Sequence, residues 1–303
     1  MQPPPPNPRR AIAAILMASV FIALASLLAK IAQRPDYGIG VHAVQVTHGR
    51  FLFAAMLVWG AIAWVRPAFE PLMLGLHGMR TAAGFAGVSL MFAAMAAMPM
   101  ADATAISFLN PVFAMILAIP LLGERVGPVR WSAAGIAFIG ALILIRPGGA
   151  GFQPAALLAL ASALFVGFEV TLIKRLSGRQ PPLQILGTNN ALGLVLSSLA
   201  VLFVWQSPGA LGWLVLAGVG VAILGAQVCY IAAMRAAEAS FVVPFSYSTL
   251  IFAALLDFLV FGARPDAQSA LGAGVIIGAA ILLAWREARA SSLADTRSGT
   301  SAR

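Results

Sequence analysis

Three charged side chains stand alone inside long apolar runs of this 303-residue chain, where a charge is chemically unusual. If the runs cross a membrane, each charge costs about 3 kcal/mol or more unless it is paired or hydrated, so such residues are candidate functional groups. They are the only Asp, Glu, Lys or Arg residues in their runs: Arg50 in 44–65, Glu169 in 154–173 and Asp257 in 239–260.

Arg50 and Asp257 are predicted to lie at a similar depth, each in the half of its run that is far from the chain termini. Lys30, near the end of the first apolar run, lies at a comparable depth. An Arg50–Asp257 pair would tie the two halves of the chain together as a gate, and an unpaired Arg50 could bind a carboxylate. The alternative is that the long cationic side chains reach the headgroup region, which is the favoured interpretation for Lys30.

Glu169 is the second intramembrane candidate, and two interpretations stay open for it. It could bind an amine of a substrate or carry a coupling proton. It could equally form a structural ion pair with Lys174 or Arg175, which follow within two helical turns. Asp102 and Glu238 precede other apolar runs, and we expect them to complement helix dipoles at helix starts.

Uncharged polar residues add to the candidate site. They cluster around 188–190 and 246–249. Pro244 lies just before the second cluster, in the run 239–260, and Pro111 lies near the matching place in the run 103–122. Helix breaks at matching places in two halves indicate a transport site, although the same polar groups could serve only hydrogen bonding between helices. The candidate substrate-binding residues are Arg50, Glu169, Asn189, Asn190, Gln227, Tyr230, Ser246 and Tyr247; the candidate gate is Arg50 with Asp257.

Motifs of enzymes and metal sites are absent from the sequence. It has no HExxH, CxxC, serine elbow or glycine-rich phosphate loop, its one cysteine is Cys229, and its three histidines lack ligand spacing. We therefore expect no catalytic residue, no metal and no cofactor. An enzyme or a channel remains as an alternative of a different class.

The elements that position these residues are membrane-spanning helices. No Asp, Glu, Lys or Arg occurs in the fifty-five residues 180–234, which is enough for two spans of about 20 residues. Hydrophobic residues make up 61% of the chain and charged residues 10%, so the net charge of +9 indicates basic loops and not a nucleic-acid partner. Ten spans are predicted, at 11–29, 44–65, 81–99, 103–122, 131–145, 154–173, 184–205, 210–233, 239–260 and 268–285.

Loop charge predicts the orientation of the ten spans. Fourteen Lys and Arg residues fall on the side of the two termini and four on the other side, so both termini should be cytoplasmic. The polar, proline- or serine-rich ends, 1–10 and 287–303, are predicted to be disordered.

The chain contains an internal duplication. Residues 96–104 match 232–240 with five of nine positions identical, and further matches near 123–135 and 21–30 recur in the same order. Each unit has five helices, an odd number, so the second unit must be inverted. The predicted fold is thus an all-α membrane protein of two inverted five-helix repeats, 11–146 and 147–286. Gly274 and Gly278 have the spacing of a close helix contact.

The repeat resembles the EamA repeat of the drug/metabolite transporter superfamily. The resemblance lies in 101–105 (Ala-Asp-Ala-Thr-Ala), 110–114 (Asn-Pro-Val-Phe-Ala) and 121–125 (Leu-Leu-Gly-Glu-Arg), and again in 237–254 and 261–266. It implies two helical repeats around a central cavity and transport without ATP hydrolysis. One departure is Ala263, where family members usually carry Glu, so Glu124 lacks a counterpart.

These observations predict a secondary transporter of the bacterial inner membrane that works as a monomer in lipid on a small-molecule solute. An intramembrane arginine and a buried acid suit a zwitterion. The resemblance therefore favours export of amino acids or amino-acid-derived, opine-like metabolites, with uptake of riboflavin or S-adenosylmethionine as the alternative.

Overall fold

The computed structural model describes residues 7–124, 126–146, 153–177, 179–237, 242, 245–279 and 281–282, and the regular structure in these ranges is helical. A single 3-10 turn, Pro35–Tyr37, connects the first two helices. The helices are α1 Pro8–Ala32, α2 Ala43–Val65, α3 Leu74–Ala97, α4 Met100–Ser107, α5 Asn110–Leu122, α6 Pro128–Ile145, α7 Ala155–Ser177, α8 Pro182–Val201, α9 Ala210–Ala236, α10 Ser248–Phe261 and α11 Ala267–Ala279.

Ten membrane segments follow from these helices, as predicted. Among the described residues, eight segments are long and apolar enough to cross a membrane, with α4 and α5 counted as one, and α10 and α11 are shorter apolar helices. The predicted disordered N-terminus is partly wrong, because α1 begins at Pro8 with Asn7 as its N-cap. Residues 1–6 and the predicted tail 287–303 lie outside the described residues.

The two repeats are visible in which helices pack together. The helix α1 packs on α9 and α10, and its counterpart α7 packs on α3 and α5. Likewise α2 packs on α9, and its counterpart α8 packs on α3. The pairs α2–α8 and α4–α10 join the second span and the fourth span of one repeat to the corresponding span of the other. Exchanging the repeats leaves this set of neighbours unchanged, which confirms two inverted five-helix repeats about a pseudo-two-fold axis.

We call the end of the bundle where α1 begins the terminal face, and the end where α1 finishes the distal face. An odd number of spans places α5 and α10 in opposite directions, although both end in the same way. Gly123 and Gly262 follow them with φ of 68° and 67°, a left-handed conformation that glycine adopts without strain. The same motif therefore closes α5 at the terminal face and α10 at the distal face.

Both repeats contain a broken span. The fourth span is interrupted at Phe108 and Leu109, because Pro111 in the first turn of α5 has no N–H with which to continue α4. The predicted break at this proline is confirmed. In the second repeat Tyr247 immediately precedes α10, whereas Pro244 and Glu238 lie outside the described residues. The Phe108 and Tyr247 rings pack edge to face with centroids 4.8 Å apart, so the two breaks meet.

The helices α6 and α11 approach each other closely at Gly140 and Gly272. A Cβ added at Gly272 would lie 2.9 Å from the Gly140 carbonyl oxygen. The predicted close contact at Gly274 and Gly278 is wrong, because an added Cβ meets nothing within 4 Å at either residue. Spacing alone does not say which face of a helix meets a neighbour.

The helix α3 begins at Leu74, seven residues before the predicted span 81–99. Its seventh residue is Arg80, which the loop count had placed outside the membrane. Arg80 is 7% exposed, so it is an intramembrane charge. The prediction failed because a hydropathy run ends at its first charged residue, whereas a helix continues when that charge has partners.

Candidate functional site

A buried ion pair joins the two repeats at the centre of the candidate site. Arg80 on α3 places Nη2 3.4 Å from Oε1 of Glu169 on α7. Arg80 Nη1 also donates to the Ile185 carbonyl oxygen on α8, at 3.1 Å. At 1.5 Å per residue, Arg80 and Glu169 lie roughly 9–12 Å inside the terminal ends of their helices. The pair is therefore well inside the membrane segments and needs partners on several helices.

Glycine makes room for the carboxylate. A Cβ added at Gly84, one turn after Arg80 on α3, would lie 2.8 Å from Glu169 Oε2. The backbone of α3 thus approaches the carboxylate more closely than any larger residue would allow. Gly87 is similarly close to Val166, so the two glycines allow α7 to pack closely against α3.

Arg50 on α2 completes the charged cluster. It interacts electrostatically with both Glu169 and Arg80, and its guanidinium carbon is 4.7 Å from the centroid of the Phe51 ring. Its Nη1 is buried without a hydrogen-bond partner among the described residues, as is Nε of Arg80. Two cations therefore share one carboxylate and keep unused donors, an arrangement suited to a ligand with hydrogen-bond acceptors.

The asparagines of α8 lie beside this cluster. Thr81 donates through Oγ1 to Asn189 Oδ1 at 3.1 Å, next to the contact of Arg80 with Ile185. Asn190 instead donates to the Leu186 carbonyl oxygen of its own helix at 2.9 Å. Of the predicted residues, the structure brings Arg50, Glu169 and Asn189 together and adds Arg80 and Thr81, which sequence reasoning missed.

Four other predicted residues belong to α9 and to the segment just before α10. Gln227 and Tyr230 are on α9, and Tyr230 is 40% exposed, while Gln227 Oε1 is buried without a partner among the described residues. Tyr247 packs on Phe108 at the helix breaks, and the Ser246 carbonyl oxygen accepts from Ser19 Oγ at 3.5 Å. These residues remain candidates for a pathway wall and not for the charged centre.

The predicted pair of Arg50 with Asp257 is wrong. Asp257 Oδ1 accepts from Lys30 Nζ at 2.7 Å, and the two side chains are 2% and 4% exposed. Asp257 Oδ2 accepts from the backbone N–H of Met100, the first residue of α4, at 2.7 Å. The reason is direction around the helix axis: α1 packs on α10, whereas Arg50 lies within electrostatic range of Glu169. Lys30 was expected to reach the headgroup region, but its side chain is buried.

The partners of several acidic residues also differ from those predicted. Glu169 pairs with Arg80 and not with Lys174, whose ammonium binds the Glu124 carboxylate instead. Asp102 lies in the first turn of α4, as predicted, and accepts from Ser269 Oγ at 3.0 Å. The acid that accepts from the N-terminus of α4 is nevertheless Asp257.

The ion pair of Arg146 with Asp266 lies outside the membrane segments, at the distal face. Arg146, which follows α6, donates through Nη2 to both oxygens of Asp266 at 2.5 Å. The hydrogen bond from Arg146, and then those from the Ser269 backbone and side chain, lower the pKa of Asp266 below its ordinary value. The same bond raises the pKa of Arg146. This pair fastens the end of α6 to the start of α11.

Other features do not compete with the charged cluster as a site. A groove of about 460 Å³ lies between α1 and α9 at the terminal face, lined by Asn7, Arg10 and Arg235 among others, and it does not reach Arg50 or Glu169. Among the described residues, no group of three or more His, Cys, Asp or Glu side chains is placed to hold a metal ion.

Two inverted helical repeats with a charged, hydrogen-bonding cluster between them are the architecture of many secondary transporters. The model of the EamA-like transporter family matches residues 9–146 and 153–285. The chain therefore belongs to the EamA-like transporter family, and it is a multi-pass membrane protein.

Three relatives of this chain are named as transporters of different solutes. The riboflavin transporter of Vibrio cholerae is 33% identical over 73% of this chain and 75% of its own length. The pseudopaline exporter of Pseudomonas aeruginosa is 28% identical over 63% and 68%. The S-adenosylmethionine uptake transporter of Rickettsia prowazekii is 22% identical over 84% and 87%.

The fold is also seen in a solved crystal structure. It superposes with a TM-score of 0.61 over 89% of this chain and 95% of that chain, at 23% identity.

Proposed function

We propose that this protein takes up riboflavin, or a closely related flavin, across the bacterial inner membrane. The observation that carries the proposal is the 33% identity with the riboflavin transporter of Vibrio cholerae over three-quarters of that protein's length. Export of a zwitterion, the first expectation from the sequence, is supported by a less similar relative. Uptake therefore replaces export as the leading proposal.

The chemistry of the charged cluster is compatible with a flavin. The isoalloxazine ring presents carbonyl oxygens and an imide N–H along one edge, and the ribityl chain presents hydroxyl groups. Arg50 Nη1 and Arg80 Nε are unused donors among the described residues, and Asn189 carries an amide that can both donate and accept. The carbonyl oxygens of the ring would accept hydrogen bonds from the two arginines, while the imide N–H would donate to the amide oxygen of Asn189.

A direct test is uptake of labelled riboflavin by the purified protein in proteoliposomes. We expect saturable uptake and counter-exchange, because a carrier exposes one site alternately to each side. Asn189→Ala and Arg50→Gln should each lower uptake about tenfold or more, the loss that removal of one or two ligand hydrogen bonds produces. The matched control is Arg66→Gln, which removes an exposed arginine beyond the end of α2.

The same vesicles distinguish the competing solutes. Unlabelled riboflavin should abolish the signal, whereas S-adenosylmethionine and amino-acid-derived zwitterions in hundredfold excess should leave most of it. Absence of riboflavin flux, together with flux of a zwitterion, would replace the proposal by export of that class. Flux without saturation would indicate a channel, and chemical conversion of the solute would indicate an enzyme.

Export of a zwitterion has one structural observation in its favour. Arg50 and Glu169 place opposite charges within electrostatic range of each other, so a zwitterion could bind both groups at once. In that case Glu169→Gln should abolish transport of the zwitterion. A neutral flavin does not need the carboxylate as a ligand, and riboflavin uptake should then fall only through the lost support of Arg80.

A further inference from the structure

The chain has two lysines, Lys30 and Lys174, and they occupy equivalent places in the two repeats. Lys30 lies near the end of α1, and Lys174 lies near the end of its counterpart α7. Because the repeats are inverted, Lys30 lies at the distal face and Lys174 at the terminal face. Each lysine pairs with an acid near the end of the equivalent helix: Asp257 on α10 and Glu124 just after α5.

The two ion pairs differ in depth because the acids differ in position. Glu124 follows the helix-ending Gly123 directly, whereas Asp257 precedes the helix-ending Gly262 by five residues. Ala263 stands where Glu124 stands in the first repeat. The second repeat thus lacks an acid at this position after the helix and has one about a turn and a half further inside. This change puts the distal pair in the membrane segments and leaves the terminal pair near the surface.

Burial makes the two pairs energetically unequal. The Lys30 and Asp257 side chains are 4% and 2% exposed, and those of Lys174 and Glu124 are 65% and 31% exposed. Separating a buried pair leaves two desolvated charges, which is strongly unfavourable. Separating an exposed pair lets water replace each partner, so it changes little.

The distal pair also holds a third element. Asp257 Oδ2 accepts from the first N–H of α4, and Lys30 Nζ donates to the Met98 carbonyl oxygen at 3.3 Å. The contact therefore joins α1, α10 and the α3–α4 connection, which come from both repeats. A cavity of about 260 Å³ lined by Lys30, Arg34, Phe261 and Ala263 lies on the Lys30 side of this pair at the distal face. Separation of the pair would release the contact between these three elements beside that cavity.

We propose that Lys30–Asp257 and Lys174–Glu124 are the two gates of one transport pathway, and that the inward shift of the acid makes them unequal. The buried distal gate is the stronger one, so the carrier rests closed at the distal face and the terminal face opens readily. The inference rests on the transport function of the family and is independent of the identity of the solute. Lys30 and Asp257 are positioning residues in this mechanism.

The experiment measures distances between spin labels at each face, in proteoliposomes without solute. Cys229→Ser gives a background without cysteine. Labels at the exposed positions Asp36 and Ala267 report the distal face, and labels at Val129 and Arg179 report the terminal face. In the otherwise unaltered chain we expect one narrow distance distribution at the distal face and a broader one at the terminal face. Equal widths at the two faces would overturn the proposal.

Removing one charge should open the corresponding face. Asp257→Asn should raise the population of long distal distances by about tenfold or more, whereas Glu124→Gln should raise the long terminal distances by less than about threefold. Lys30→Gln removes the other partner and should resemble Asp257→Asn, so it replaces that variant if folding fails. Unchanged distal distances in a folded variant would contradict the gate.

Moving the acid provides the decisive control. Ala263→Glu, added to Asp257→Asn, restores a carboxylate at the position equivalent to Glu124, next to the cavity that Lys30 lines. This variant should narrow the distal distribution again, while Ala263→Gln should not. Failure of Ala263→Glu to do so would mean that Asp257 acts only by capping α4. Because no solute is added, a wrong assignment of the solute leaves all these distances unaffected.

Discussion

At the scale of single residues, the site depends on how closely α3 approaches Glu169. An added Cβ at Gly84 would lie 2.8 Å from Glu169 Oε2, whereas one at Gly78 on the same helix meets nothing within 4 Å. The two glycines therefore form a matched pair for mutation.

Gly84→Ala should lower the free energy of unfolding by about 1–3 kcal/mol, because the methyl group displaces a buried carboxylate. It should also reduce solute uptake, because the displaced carboxylate no longer supports Arg80. Gly78→Ala should be neutral or stabilising by up to ~1 kcal/mol, as alanine favours helix. Thermal melting in detergent and flux in vesicles measure both effects, and equal melting shifts for the two variants would contradict the geometry.

The Arg80–Glu169 pair should be energetically coupled. Either Arg80→Gln or Glu169→Gln leaves a poorly exposed partner without its counter-ion, and each should cost about 3 kcal/mol or more. The double variant should cost less than the sum of the two single variants, with a coupling energy of about 1–3 kcal/mol. A double-mutant cycle measured by detergent unfolding checks this expectation. Strict additivity would show that the 3.4 Å contact does not contribute.

Asp266 should make a stability contribution that disappears in acid. Hydrogen bonds from Arg146 and Ser269 lower the pKa of this carboxylate, so the contribution is complete above the unfolded pKa of about 3.9 and is lost as pH falls through the lower folded pKa. The melting difference between the unaltered chain and Asp266→Asn should be constant from pH 5 to 7 and shrink below about pH 4. Asp36→Asn, at a largely exposed acid, is the control and should show a smaller difference.

At the scale of helices, the contact between α6 and α11 tests which glycines matter. An added Cβ at Gly272 would meet Leu144 Cγ at 2.8 Å and the Gly140 carbonyl oxygen at 2.9 Å, but Gly274 has open space. Gly272→Ala should therefore lower the melting temperature, by an amount that corresponds to about 1–3 kcal/mol. Gly274→Ala should leave it unchanged or raise it slightly, although Gly274 carries the GxxxG spacing. A larger loss of melting temperature in Gly274→Ala than in Gly272→Ala would instead support the helix contact predicted from the GxxxG spacing.

Helix boundaries show what a hydropathy pattern misses at this scale. The pattern located α2 and α9 to within a few residues, because their apolar runs end at loops. It placed the start of α3 seven residues late, because Arg80 looks like a loop residue until Glu169 and the Ile185 carbonyl oxygen are known to surround it. A charged residue at a run's edge should therefore be tested as an intramembrane group.

At the scale of the whole molecule, the orientation of the bundle is a prediction from loop charge. With Cys229→Ser as background, Arg264→Cys at the distal face should react with a membrane-impermeant maleimide added outside intact cells. Arg66→Cys at the terminal face should react only after the cells are permeabilised, because both termini are expected in the cytoplasm. Both positions are exposed. Labelling in the opposite order would place the distal face, which is the side opposite both termini, in the cytoplasm and would contradict the prediction from loop charge.

The sequence alone determined the fold class, the ten spans, the five-helix repeat and the presence of intramembrane charges, because length, hydropathy and self-similarity are properties of the linear chain. It also placed Lys30 and Asp257 at a similar depth. Depth follows from residue number at about 1.5 Å per residue, so it needs no tertiary information.

Only the tertiary structure decided which charges meet. The rotation of each helix about its axis, and the choice of neighbour, depend on packing against other helices, as at Gly84 and Gly272. That packing pairs Asp257 with Lys30 and Glu169 with Arg80. It also buries one of the two lysine ion pairs and leaves the other exposed. These pairings are set by contacts between residues more than forty positions apart in the chain, which hydropathy and spacing do not encode.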